Sequence, residues 1–108
     1  MLPRYGGNVT THRLATISAL PADPIVRRFI TKGRLVAIPA RQAKRRKVLD
    51  WLSQEFEPGR VYPEAAVNAT LMRYHPDFAA LRRYLVDEGF MERRHGFYWR
   101  AGGTYDID

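Results

Sequence analysis

The 108 residues are enough for one small domain, and a hydrophobic content of 45% is that of an ordinary globular chain. The absence of Cys excludes a disulfide framework and a thiolate metal site. No apolar run approaches a membrane span, and Thr10, Thr11, His12, Arg13, Thr16 and Ser18 interrupt the stretch where a secretory signal would be apolar, so a soluble cytoplasmic protein is expected. Eighteen Lys and Arg against eleven Asp and Glu give a net charge of +7 and a pI near 10.2, a balance that suits an anionic partner.

Residues 1–22 read as a polar N-terminal arm, with Gly6, Gly7, Pro3 and Pro21 as breakers. Within it Leu14, Ile17 and Leu20 are spaced for one face of a short helix, suited to packing on the domain or on a second copy. The folded domain is expected over 23–100. Asp23-Pro24 looks like an N-cap followed by Pro at the first helical position, opening a helix over 24–30. Gly33 ends that segment, and 35–38 is a strand candidate closed by Pro39.

The longest helix is expected over 41–56, where Val48, Leu49, Leu52 and Phe56 share one sector with Trp51 at its flank. Arg41, Lys44, Arg45, Arg46 and Lys47 place five positive charges in its first two turns, the end that the helix dipole disfavours for cations. Each such charge costs only a few tenths of a kcal/mol at an exposed site, yet the pattern asks for a reason, and an anionic partner would supply one. The run belongs to a longer basic segment, Arg27 through Lys47, with no acidic residue in it. Such a cluster is a footprint of nucleic-acid binding, or else a solvated face that keeps the protein soluble.

Residues 57–60 form a turn, and Val61-Tyr62 is a candidate strand beside the hairpin that follows. Pro63 opens a helix over 63–74, with Glu64 in the first turn and Val67, Leu71 and Tyr74 inward. Glu64 and Asn68 lie one turn apart, the arrangement of a surface hydrogen-bonded pair or a tether to the preceding loop more than of a ligand site. His75-Pro76-Asp77 breaks the chain and restarts it as a helix over 77–88, buried along Phe78, Leu81 and Leu85 with Tyr84 at the flank, and stopped by Gly89. Two strands within 90–100, joined by a tight His95-Gly96 turn, complete a hairpin. Residues 101–108 read as a flexible tail.

The fold class expected is therefore α+β, winged helix-turn-helix-like, with helices followed by a C-terminal β-hairpin wing. The segments GRLVAIP (33–39), VLDWLSQEFEPGRVYPEAAVN (48–68) and DFAALRRYLVDEGFMERRHGFYW (77–99) resemble the bacterial family called domain of unknown function 2087, over about residues 29–100. The most telling pieces are Tyr62-x-Glu64-x-x-Val67-Asn68, Leu81-Arg82-Arg83-x-Leu85-Val86-Asp87 and Arg93-x-x-Gly96-x-Tyr98. That family occurs alone or fused to small helix-turn-helix transcriptional regulators, so the resemblance implies a regulatory module.

Function is read accordingly as nucleic-acid binding, duplex DNA foremost, in transcription regulation. The outward face of the 77–88 helix should carry Ala79, Ala80, Arg83 and Asp87, with Arg82 at its edge; this is poor in base-reading side chains. Phosphate-backbone contacts are expected instead from Arg41, Lys44, Arg45, Arg46 and Lys47, and from Arg93, Arg94, His95 and Arg100 on the wing, with weak base specificity. The alternative is a non-catalytic protein-interaction module, with a protein partner or a second copy as ligand. No enzyme activity, cofactor or metal is expected: His12, His75 and His95 lack a second ligand at metal spacing, and no phosphate loop, nucleophile elbow or carboxylate pair occurs.

Overall fold

The computed structural model describes residues 21–104. The expected arm helix with Leu14, Ile17 and Leu20, and the tail from 105 onward, lie outside the described residues. The architecture is α+β: α1 (Pro24–Arg27), β1 (Ile30–Thr31), β2 (Arg34–Leu35), α2 (Gln42–Ser53), β3 (Val61–Pro63), α3 (Glu64–Met72), α4 (Phe78–Asp87), β4 (Met91–Arg94) and β5 (Phe97–Arg100). β1 and β2 form a two-stranded sheet, and the other strands form a three-stranded antiparallel sheet in the order β3-β5-β4.

The apolar spacing of α2, α3 and α4 builds the core. Val48, Leu49, Leu52 and Phe56 meet Val67, Leu71, Leu81 and Leu85, all at 0–1% exposure. Phe90, Met91 and Tyr98 bring the hairpin onto the same cluster. Burying a Leu side chain contributes about 1.5–3 kcal/mol, so these helix faces rather than helix propensity hold short elements of 9–12 residues. Trp51 stays at the flank, edge-on to Tyr74 at 5.5 Å.

Three expectations shift. The first helix spans four residues rather than 24–30, although Asp23 does cap it by accepting from the Ile25 N–H at 2.8 Å. Its continuation is diverted because Lys32 and Gly33 take left-handed conformations (φ 52° and 77°) and fold β1 back on β2. A two-residue turn with both φ values positive matches strand twist, so the strand lies at 34–35, ahead of the expected 35–38, and leaves Val36 exposed. The second helix ends at Ser53, and Gln54, Glu55 and Phe56 continue with N–H bonds three residues back, a tightened last turn that still buries Phe56.

The third shift is at the tail. The Ala101 N–H donates to Phe90 O, and the Thr104 N–H and hydroxyl both donate to Asp50 at 2.7 Å. Residues 101–104 therefore lie against the domain instead of beginning a free segment.

Candidate nucleic-acid interface

The expected phosphate contacts fall into three structural groups. The first is internal. Arg100 is buried, donating to Ser53 O and Phe56 O at 3.0 Å, Gly102 O at 3.1 Å and Thr104 O at 2.9 Å. A guanidinium in this place satisfies the terminal carbonyls of α2, groups that any helix leaves open, and so Arg100 is not on the wing surface.

The second group is the end of the basic run. Arg45 donates from Nε to the Glu88 carboxylate at 2.6 Å and from a terminal nitrogen to Pro39 O and Ala40 O, with its guanidinium 4.4 Å from the Tyr84 ring centre. Its side chain is 14% exposed and that of Glu88 6%. Arg46 donates to the Glu88 backbone carbonyl at 2.8 Å and lies over Phe90. Lys47 reaches Asp23 at 3.2 Å, an exposed pair that contributes little by itself. Glu88 Oε1 is buried with no hydrogen-bond partner among the described residues, 3.7 Å from an Arg46 nitrogen.

Arg45 and Arg46 are thus explained within the fold: their side chains meet the C-terminal end of α4, where the dipole favours positive charge and where Glu88 adds a full negative one. Sequence reasoning missed Glu88 because its partner is 43 residues away. The unexplained cluster of cations at the wrong helix end was the only signal pointing to it.

The third group is available to solvent. Arg41 and Lys44 at the start of α2, Arg83 on α4, and Arg93, Arg94 and His95 on the hairpin have no ion pair among the described residues. The hairpin turns at His95 and Gly96 as expected, and His95 joins Gly96 in a left-handed conformation, with φ of 52° and 83°.

α4 and the hairpin enclose an open groove of about 460 Å³. Its charged lining is Arg82, Arg83 and Arg93 against Glu64, Asp77 and Asp87, and most of the negative charge is already engaged. Glu64 accepts from the Tyr98 hydroxyl at 2.8 Å and lies 3.9 Å from Arg82, while Asp77 caps α4 through the Ala80 N–H. Arg82 is half-buried and donates to Asn68, so it braces α3 against α4 and is withdrawn from the groove's free charge.

Glu64 and Asn68 do not pair with each other. Both turn to Arg82, and Glu64 ties the hairpin to α3 a second time through its own N–H, which donates to Gly96 O at 2.9 Å. Burial, followed by the bond to Glu64, raises the Tyr98 hydroxyl above the ordinary tyrosine value. The three sequence pieces that carry the family resemblance meet here, with Arg93 stacked over Tyr98 at 5.8 Å. Among the described residues no group of three or more His, Asp or Glu could hold a metal ion, and no helix is long and apolar enough to cross a membrane.

A family model described as an uncharacterized protein conserved in bacteria (DUF2087) matches residues 34–100, more than half of the chain. No curated protein and no solved structure matches the chain.

Proposed function

This chain belongs to the bacterial DUF2087 family, and we propose that it is a nucleic-acid-binding module on a winged-helix plan, with duplex DNA as its first target. The order α2-β3-α3-α4-β4-β5 supports that plan: two helices joined by a short break, closed by a hairpin whose second strand pairs with β3. On this reading α4 faces the duplex and the β4–β5 hairpin is the wing.

The observation that carries the reading is the placement of Arg83 and Arg93. They stand on α4 and on the hairpin beside one open groove, without ion pairs among the described residues, while Glu64 and Asp77 are engaged. Arginine's planar fork suits phosphate oxygens. Arg41 and Lys44 add positive field from the start of α2. The remaining exposed face of α4 offers Ala79 and Asp87, so the contacts position the module on phosphates and read little sequence. The role is a transcriptional regulator or an accessory domain of one, with no chemistry of its own.

The test is a titration of the protein with random duplex DNA, single-stranded DNA and RNA at two salt concentrations. Phosphate-led binding falls steeply with salt, at about 0.9 in log–log slope for each duplex phosphate contact. Binding that ignores salt, or no binding to duplex DNA, would remove this reading in favour of a protein-interaction module.

A further inference from the structure

The outer face of the three-stranded sheet is not used by the groove. Cross-strand partners share a face, so Val61, Trp99 and Glu92 form one row and Pro63, Phe97 and Arg94 the next. Tyr62, Tyr98 and Arg93 point to the opposite side. Phe97 is 48% exposed and Val61 58%, two of the four exposed large hydrophobic residues among those described.

We propose that this outer face is a stacking platform for single-stranded nucleic acid, with Phe97 and Trp99 receiving bases and Arg94 meeting phosphate. Phe97 and Trp99 are two apart on one strand, so their side chains are separated by roughly 6.5–7 Å along it. That is a repeat two unstacked bases of an extended strand can follow, and sheets with exposed aromatics bind single strands in this way. Trp99 is half-buried, and its indole N–H donates to Glu92 Oε1 at 3.1 Å, which satisfies the ring's polar edge. Arg94, exposed and without an ion pair among the described residues, stands in the same row as Phe97.

Size decides against a protein ligand. The patch is three strands wide and three residues long, on the order of 10 Å by 7 Å between Cα atoms. A standard protein interface takes about 800 Å² from each partner, whereas two nucleobases fit the patch. The site is separate from the duplex-facing groove and does not rest on it.

The test is anisotropy of a labelled twelve-nucleotide oligothymidine, and in parallel of a random duplex, titrated with the parent, Phe97→Leu, Phe97→Tyr and Arg83→Gln. Phe97→Leu keeps an apolar side chain but removes the flat ring. It is expected to weaken the oligothymidine about tenfold, the low-to-middle range for losing one stacked base, with duplex binding unchanged. Phe97→Tyr should bind the oligothymidine as the parent does. Arg83→Gln should weaken only the duplex, so failure of the groove and failure of the platform are read separately. Oligothymidine binding that is absent in the parent, or equal in Phe97→Leu and the parent, overturns the platform. So does concentration-dependent self-association of the parent in sedimentation that Phe97→Glu abolishes, because the face then belongs to a second copy.

Discussion

Two basic regions of similar composition behave differently in this fold. Arg45 and Arg46 on α2 are held by Glu88, by backbone carbonyls and over the rings of Tyr84 and Phe90. Arg83, Arg93 and Arg94, on α4 and the hairpin, have no ion pair among the described residues and border open space. Charge density along a sequence therefore counts cations without saying which remain available to a ligand. Availability is decided by where the acidic residues and helix carbonyl ends fall after folding. α4 belongs to both regions, with its inner face in the core, its C-terminal end against Arg45 and its outer face presenting Arg83.

The largest expected effects lie at that shared helix. Leu81→Ala or Leu85→Ala removes a fully buried side chain and should cost about 2–5 kcal/mol, read as a fall in the urea midpoint at constant slope. A loss below about 0.5 kcal/mol would mean that the α4 stripe is not core.

Glu88→Ala strips Arg45 of its carboxylate and should cost about 3 kcal/mol, near the lower end for breaking a buried pair because the Pro39 and Ala40 carbonyls remain. Glu88→Gln keeps an acceptor and should cost less. If Glu88→Ala unfolds at the parent's midpoint, the α2 cations are not structural and the comparison collapses.

Much of this was legible in the sequence because local rules govern it. The stripes of α2 and α4 follow helical spacing, Asp23 and Asp77 cap where their positions suggest, and His95-Gly96 turns where two positive φ values are needed. What was not legible depends on long-range pairing. Nothing near Arg45 announces Glu88, and nothing near Arg100 announces the carbonyls of Ser53 and Phe56 more than forty positions earlier. Glu64 and Asn68 stood out as a pair, but their common partner Arg82 comes from the next helix.

The comparison is sharpened by alkaline titration. Burial, and then the hydrogen bond to Glu55, raises the Tyr74 hydroxyl above its ordinary value. The unfolded chain loses this proton first, near pH 10, so the stabilisation is complete below that pH and is lost as pH rises towards the folded value. Unfolding free energy followed from pH 8 upward should fall above about pH 10, and Tyr74→Phe should flatten that fall. An unchanged slope in Tyr74→Phe would assign the alkaline loss to another group, Tyr98 being the next candidate.

Smallest in stability, though not in binding, is the surface set. Arg83→Gln, Arg93→Gln and Arg94→Gln should each change stability by no more than about 0.5 kcal/mol, since each side chain lies on an exposed residue. Thermal or urea unfolding of the three single variants checks this directly. A larger loss would place them with Arg45 as structural cations.

The most direct test compares the salt dependence of duplex binding for two multiple variants, Arg83→Gln/Arg93→Gln and Arg45→Gln/Arg46→Gln, each assayed where it is folded. The first should lose affinity for all sequences alike and flatten the log–log slope by about 0.9 for each phosphate contact removed, while the second keeps the parent's slope despite a lowered unfolding midpoint. A parental slope in the first variant and a flattened one in the second would contradict the account, because the cations held inside the fold would then be the ones that meet the nucleic acid.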